Sequence, residues 1–189
     1  MVEKRVRAGL DLGLSESERE ELKRIALQAL RHKLLGEESP RLRLDSHRLQ
    51  EKRGAFVSLH KKGMLRGCIG YVEGRRPLWE TVREAAVQAA LSDPRFPPLR
   101  AEELPEVDLE ISALTPLERM TDPMDFEVGR HGLVVRKGFM SGLLLPQVAV
   151  EHGWDKEQFL SWTCKKAGLS EDAWRRSGTE IYRFSADVF

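Results

Sequence analysis

The hexapeptide Leu65-Arg66-Gly67-Cys68-Ile69-Gly70 sets a thiol two residues from a guanidinium, with glycines on both sides of the thiol. On an extended strand, residues two apart share a face with Cβ atoms roughly 7 Å apart. A cation at that range favours thiolate and makes the sulfur a better nucleophile or redox group. The same arginine can clamp a carboxylate or phosphate through its planar fork. Cys68 and Arg66 are therefore the first candidates for catalysis. Gly67 and Gly70 are candidates for ligand binding, because glycine inside a strand marks close approach to the backbone. The competing reading makes Cys68 a small buried side chain and Arg66 the partner of an acid.

A thiol needs a proton acceptor, and two histidines compete for that role. His131, in Gly129-Arg130-His131-Gly132, is the third catalytic candidate, because flanking glycines leave its backbone accessible. Its plainer role is a turn histidine opening a strand. His60 lies at the turn end of a hairpin. In the register that a three-residue hairpin loop sets, it is four positions from Cys68, about 13 Å at ~3.3 Å per residue, and out of reach. Glu110, on the polar side of a strand, and Gln147, in the first turn of a helix, are further candidates for ligand contact. Cys164 falls on an apolar helix stripe and reads as structural. Trp154, Trp162 and Trp174 read as core or surface anchors. The chain lacks the phosphate-loop, nucleophile-elbow and His-Glu-x-x-His patterns. Its five histidines and two distant cysteines form no metal-ligand spacing, so no metal is expected.

The elements that must carry these residues are legible as hydrophobic periodicity. Residues 1–14 read as a lead-in. Ser15 and Glu18 form a capping box before an apolar helical stripe that should end near Gly36. Residues 37–53 read as an arginine-rich surface loop. Residues 55–70 read as a β-hairpin with the three-residue loop Lys61-Lys62-Gly63. That register pairs Phe56 with Cys68 and Ser58 with Arg66. It gathers Ala55, Val57, Leu59, Leu65 and Ile69 on one apolar face, which a two-residue loop would mix. A helix follows Pro77 and stops at Ser92-Asp93-Pro94. A half-buried strand covers 107–113, and a second hairpin runs from Leu133 to Leu145. Pro146 opens a short helix. Asp155 and Gln158 cap another, closed by Gly168, and a last strand spans 180–184. The pattern predicts an α+β fold with a mostly antiparallel sheet flanked by helices.

Bulk properties narrow the function. The chain has 189 residues with 31 basic and 30 acidic side chains, a net charge of +1. That balance offers no field to hold a polyanion, so nucleic-acid binding is not favoured. No apolar run is long enough to span a membrane. The unpaired cysteines suit a reducing compartment, so the cytoplasm is expected. The expected partners are a small anionic ligand or a protein.

Together, Gly54-Ala55-Phe56-Val57-Ser58-Leu59, the hexapeptide, Asp93-Pro94-Arg95-Phe96, Leu109-Glu110-Ile111-Ser112, Gly132-Leu133-Val134-Val135, Leu144-Leu145-Pro146-Gln147-Val148 and Lys166-Ala167-Gly168-Leu169 resemble the AMMECR family. The resemblance runs from about residue 15 onward and implies one domain over 15–189. It implies a larger and a smaller lobe around one cleft, with the hexapeptide exposed near it, and an intracellular protein without known metal or cofactor. It also implies companionship with Memo-type and radical S-adenosylmethionine proteins. It carries no established reaction. A non-catalytic docking module using the same face is the alternative to an enzyme-like site.

Overall fold

The computed structural model describes residues 11–38 and 44–189. The first ten residues of the expected lead-in, and residues 39–43 of the expected loop, lie outside them. The chain divides into two compact units, one formed by Gly13–Leu114 with Phe189 and the other centred on Thr115–Val188.

The first unit opens with α1 (Glu16–Leu35), capped as its sequence dictates. The Ser15 side chain accepts from the Glu18 N–H, the Glu18 carboxylate returns the bond, and Gly36 ends the helix in the left-handed region. The expected loop contains a one-turn helix, α2 (His47–Gln50), capped by Ser46 and anchored by the buried Leu49. Three antiparallel strands follow the order β2 (Met64–Tyr71), β1 (Ala55–Lys61), β3 (Val107–Leu114), with α3 (Leu78–Leu91) between β2 and β3 in sequence. Ala55, Val57, Leu59, Ile111 and Ala113 bury against Leu22, Ala26, Leu30, Val82, Ala86 and Ala89 of the two long helices. Before β3, residues 101–106 form a 3-10 turn.

The hairpin register differs from the expected one. Lys61 pairs with Met64 across a two-residue turn, and both turn residues, Lys62 (φ 53°) and Gly63 (φ 79°), are left-handed. This is the turn whose twist matches the strands. It would mix the faces, and the chain corrects that with a β-bulge: Leu59 pairs with Gly67 and His60 with Leu65, leaving Arg66 as the extra residue. Beyond the bulge Gly67 and Ile69 return to the apolar side, whereas Met64 and Leu65 are exposed. Cys68 consequently sits opposite Ser58, not Phe56.

The second unit contains β4 (Glu118–Arg119), β5 (His131–Lys137), β6 (Met140–Leu144) and β7 (Glu180–Val188), antiparallel in the order β6, β5, β7, β4. The helices α4 (Pro146–Glu151) and α5 (Lys156–Lys166) contribute Ala149, Phe159, Leu160 and Cys164 to a core with Leu133, Val135 and Ile181. The β5–β6 turn is two residues, Gly138-Phe139, and β7 runs four residues further than the sequence pattern suggests.

Candidate functional site

Across the first unit, one rung of three strands carries Cys68 (β2), Ser58 (β1) and Glu110 (β3) on the face opposite the apolar core. The Ser58 hydroxyl donates to the Cys68 sulfur at 3.3 Å. Two residues along β1, on that same face, His60 pairs with Asp108 of β3. The corrected register makes His60 a diagonal neighbour of Cys68, at about 7–8 Å rather than four positions away. The His60 Nδ1 is buried and has no hydrogen-bond partner among the described residues.

Cys68 is also held through its backbone. β2 is an outer strand of its unit, and such edges expose unpaired N–H and C=O groups. At Cys68 both groups are occupied by side chains that follow α3. The Cys68 N–H donates to Asp93 Oδ2 at 2.9 Å, and Arg95 Nη2 donates to the Cys68 carbonyl at 3.3 Å. Arg95 also grips Asp93 bidentately, Nε to Oδ1 at 2.9 Å and Nη2 to Oδ2 at 2.7 Å. Asp93 is 4% exposed, and its partners hold its carboxyl well below the usual carboxylate range, the Arg95 guanidinium foremost. Asp93 and Arg95 thus clasp Cys68 as a neighbouring strand would.

The cation beside the thiol is therefore Arg95, not Arg66. Arg66 points its guanidinium at Glu103, with Nε to Oε1 at 3.3 Å and Nη2 to Oε2 at 3.0 Å, and donates Nη1 to the Pro97 carbonyl at 2.9 Å. Lys61 adds a third contact to Glu103, whose pKa is lowered to about 2, chiefly by Arg66. Arg66 so ties the bulge to the segment before β3. Burial pushes the Cys68 thiol up, against the lowering effects of the Ser58 hydroxyl and Arg95. The resting sulfur is a protonated thiol in a half-buried position, and it needs a base before it can act as a nucleophile.

The two glycines of the hexapeptide have neighbours inside the protein. A Cβ on Gly67 would lie 2.1 Å from the Ala89 carbonyl oxygen of α3, and one on Gly70 would lie 2.4 Å from the Ala55 carbonyl oxygen. The close approach that their sequence pattern demanded is made by the fold itself.

His131 and Gln147 belong to the second unit. The Glu127 N–H donates to His131 Nδ1 at 2.9 Å, which closes the turn before β5. Burial, then Arg183 and Arg130, lowers the His131 pKa, so the ring is neutral with its proton on Nε2. Gln147 is half-buried in the first turn of α4, its Oε1 without a partner among the described residues. Cys164 is fully buried. Trp154 stacks on Trp162 with centroids 5.2 Å apart and on His152 at 4.6 Å, and Trp174 is buried. Among the described residues, no group of three His, Cys, Asp or Glu is placed to hold a metal, and no helix is long and apolar enough to cross a membrane.

Asp93, Arg95 and Ser58 escaped the sequence reading. The available signal was Asp93 itself: an acid just past a helix C-terminus opposes the helix dipole and calls for a compensating cation. Arg95, two residues on, is that cation.

The chain is 48% identical over 183 residues to a protein of Methanothermobacter thermautotrophicus, covering 93% of this chain and 95% of that one. It is 47% identical over 185 residues to a protein of Methanopyrus kandleri, covering 93% and 89%. The crystal structure of an uncharacterised protein from Pyrococcus horikoshii superposes with a TM-score of 0.83 at 43% identity, over 89% of each chain. These names state no activity, and the family has no established biochemical function. The sequence model of the AMMECR1 family matches residues 23–189, and the chain belongs to that family.

Proposed function

We propose that the Cys68 face of the first unit is an enzyme-like site for a small anionic ligand, with Cys68 as its thiol and Arg95 as its anion contact. The observation that carries this reading is the double clasp on the Cys68 backbone by Asp93 and Arg95. A reacting or ligand-binding cysteine gains from a fixed backbone, because preorganised geometry removes the cost of ordering the site at the moment of use. The Arg95 side chain is 52% exposed, so its outer edge can meet a carboxylate or phosphate. Arg66 holds the bulge, and Glu110 completes the rung. Ligand contact by Gly67, Gly70, His131 or Gln147 has no comparable support.

Alkylation tests the reading. Cys164 is inaccessible, so peptide mapping assigns the label to Cys68. Negatively charged iodoacetate should gain on neutral iodoacetamide, relative to a free thiol, and Arg95→Gln should abolish that gain. If the two reagents keep their free-thiol ratio, the anion site is wrong.

A second reading has its own observation. Met64 is 72% exposed, and Leu65 and Tyr71 are also exposed along the same strand. Exposed apolar side chains on an outer strand suit a docking surface for a protein. A complex that survives Cys68→Ala but is lost on Leu65→Glu would favour docking, and the family resemblance suggests a Memo-type partner for copurification.

A further inference from the structure

We infer that His60 is the proton acceptor for the Cys68 thiol, an inference that rests on Cys68 being reactive. Three observations converge on it. The bulge at Arg66 moves Cys68 opposite Ser58, and so sets His60, two residues further along β1, on the diagonal from Cys68. Diagonal cross-strand neighbours are about 7–8 Å apart, within reach of an aromatic ring. Bulges of this kind re-aim side chains and are enriched next to active sites.

The second observation is the ring itself. The His60 Nδ1 is buried without a partner among the described residues. A buried polar atom left unpaired is costly, and in a native structure it asks for an explanation such as a catalytic role. With the ring proton on Nε2, Nδ1 offers the free lone pair that proton acceptance requires.

The third is the charge around the ring. On β3, Asp108 stands directly opposite His60, and Glu110 is its diagonal neighbour. From β2, Leu65 stands directly opposite the ring and Cys68 on the diagonal, while Arg66, the bulged residue between them, turns its guanidinium to Glu103; Ser58 is the neighbour on β1. Lys61 and Lys62, next along the chain, are drawn to Glu103 and Glu106. The imidazolium formed when His60 takes the thiol proton thus has two carboxylates beside it. His131 is already committed as an acceptor to the Glu127 N–H.

The step is a simple transfer. The Cys68 S–H bond breaks, its proton passes to the imidazole, and the sulfur keeps the electron pair. With iodoacetamide the S–C bond then forms and iodide leaves.

The experiment is the pH–rate profile of Cys68 alkylation in the wild type and in His60→Gln. The wild type should react through two inflections, one of them below that of the thiol itself. His60→Gln should keep only the upper one and react about tenfold or more slowly at pH 7. If Cys68 reacts and the two profiles superimpose, the role of His60 is overturned while the reactive site stands. If wild-type Cys68 does not react at any pH short of unfolding, both fall. Should His60→Gln fail to fold, the ring titration of His60 followed by NMR reads the coupling from the other side. It should shift between wild type and Cys68→Ser, and an unchanged titration overturns the inference.

Discussion

The hairpins β1–β2 and β5–β6 are built alike and used differently. Each joins its strands by a two-residue turn, through left-handed Lys62-Gly63 in one and left-handed Gly138 in the other. Each sets a glycine where helix backbone lands on the sheet. A Cβ on Gly67 would meet the Ala89 carbonyl of α3 at 2.1 Å, and one on Gly142 would meet the Ala167 nitrogen after α5 at 2.2 Å. The difference is that β5–β6 pairs without interruption, whereas β1–β2 carries a bulge, a half-buried thiol and a clasped backbone. Gly67 and Gly142 therefore mark helix packing in their units, and only the bulge and the clasp distinguish the candidate site.

The sharpest test of the shared part is a matched pair of substitutions. Gly67→Ala and Gly142→Ala should each destabilise by about 3 kcal/mol or more, the upper end of overpacking, because a rigid backbone stands in the way. Denaturant unfolding measures both. A near-neutral Gly142→Ala beside a severe Gly67→Ala would break the parallel.

Next in size is the clasp, which β5–β6 lacks. Asp93→Asn should cost about 1.5–3 kcal/mol near neutral pH, the scale of charge-assisted hydrogen bonds. Because the folded pKa of Asp93 is depressed, its stabilisation is fully present above the ordinary carboxylate range and is lost as pH falls through and below it. The gap between wild type and Asp93→Asn should therefore close on acidification. A gap that is constant with pH would mean that the carboxylate is not paired in solution.

The two units should also differ in where acid weakens them. His131 has a lowered folded pKa, so its neutral form favours the native state above about 6.5, and that stability falls as pH drops below it. Protection factors from native-state hydrogen exchange at β5, with the intrinsic pH dependence of amide exchange divided out, should fall as pH drops below about 6.5 in the wild type and much less in His131→Gln. Protection at β5 that stays constant as pH falls would overturn the neutral, acceptor role of the ring.

The smallest expected effect is at Ser58. Ser58→Ala removes a hydroxyl that donates to the Cys68 sulfur and so should move the thiol pKa further up, slowing alkylation with little change in stability. Faster alkylation of the variant would show that the hydroxyl shields the thiol instead.

The sequence alone determined the elements and the neighbourhood of the site. Capping boxes at Ser15 and Asp155, helix-ending glycines at 36 and 168, and alternation along 107–113 act through contacts a few residues apart, so they are written in local sequence. The α+β class and the unusual hexapeptide were legible for the same reason. Register was not. The favoured Lys62-Gly63 turn and the apolar alternation of Leu65, Gly67 and Ile69 conflict locally, and the chain resolves the conflict with a bulge at Arg66. That choice gains its energy from Arg66 meeting Glu103, 37 residues away, and from Ala89 packing on Gly67. Tertiary structure alone therefore decided which cation stands beside Cys68 and that His60 comes within its reach. Both depend on contacts distant in sequence, and a single residue of slip moves every side chain of a strand to the other face.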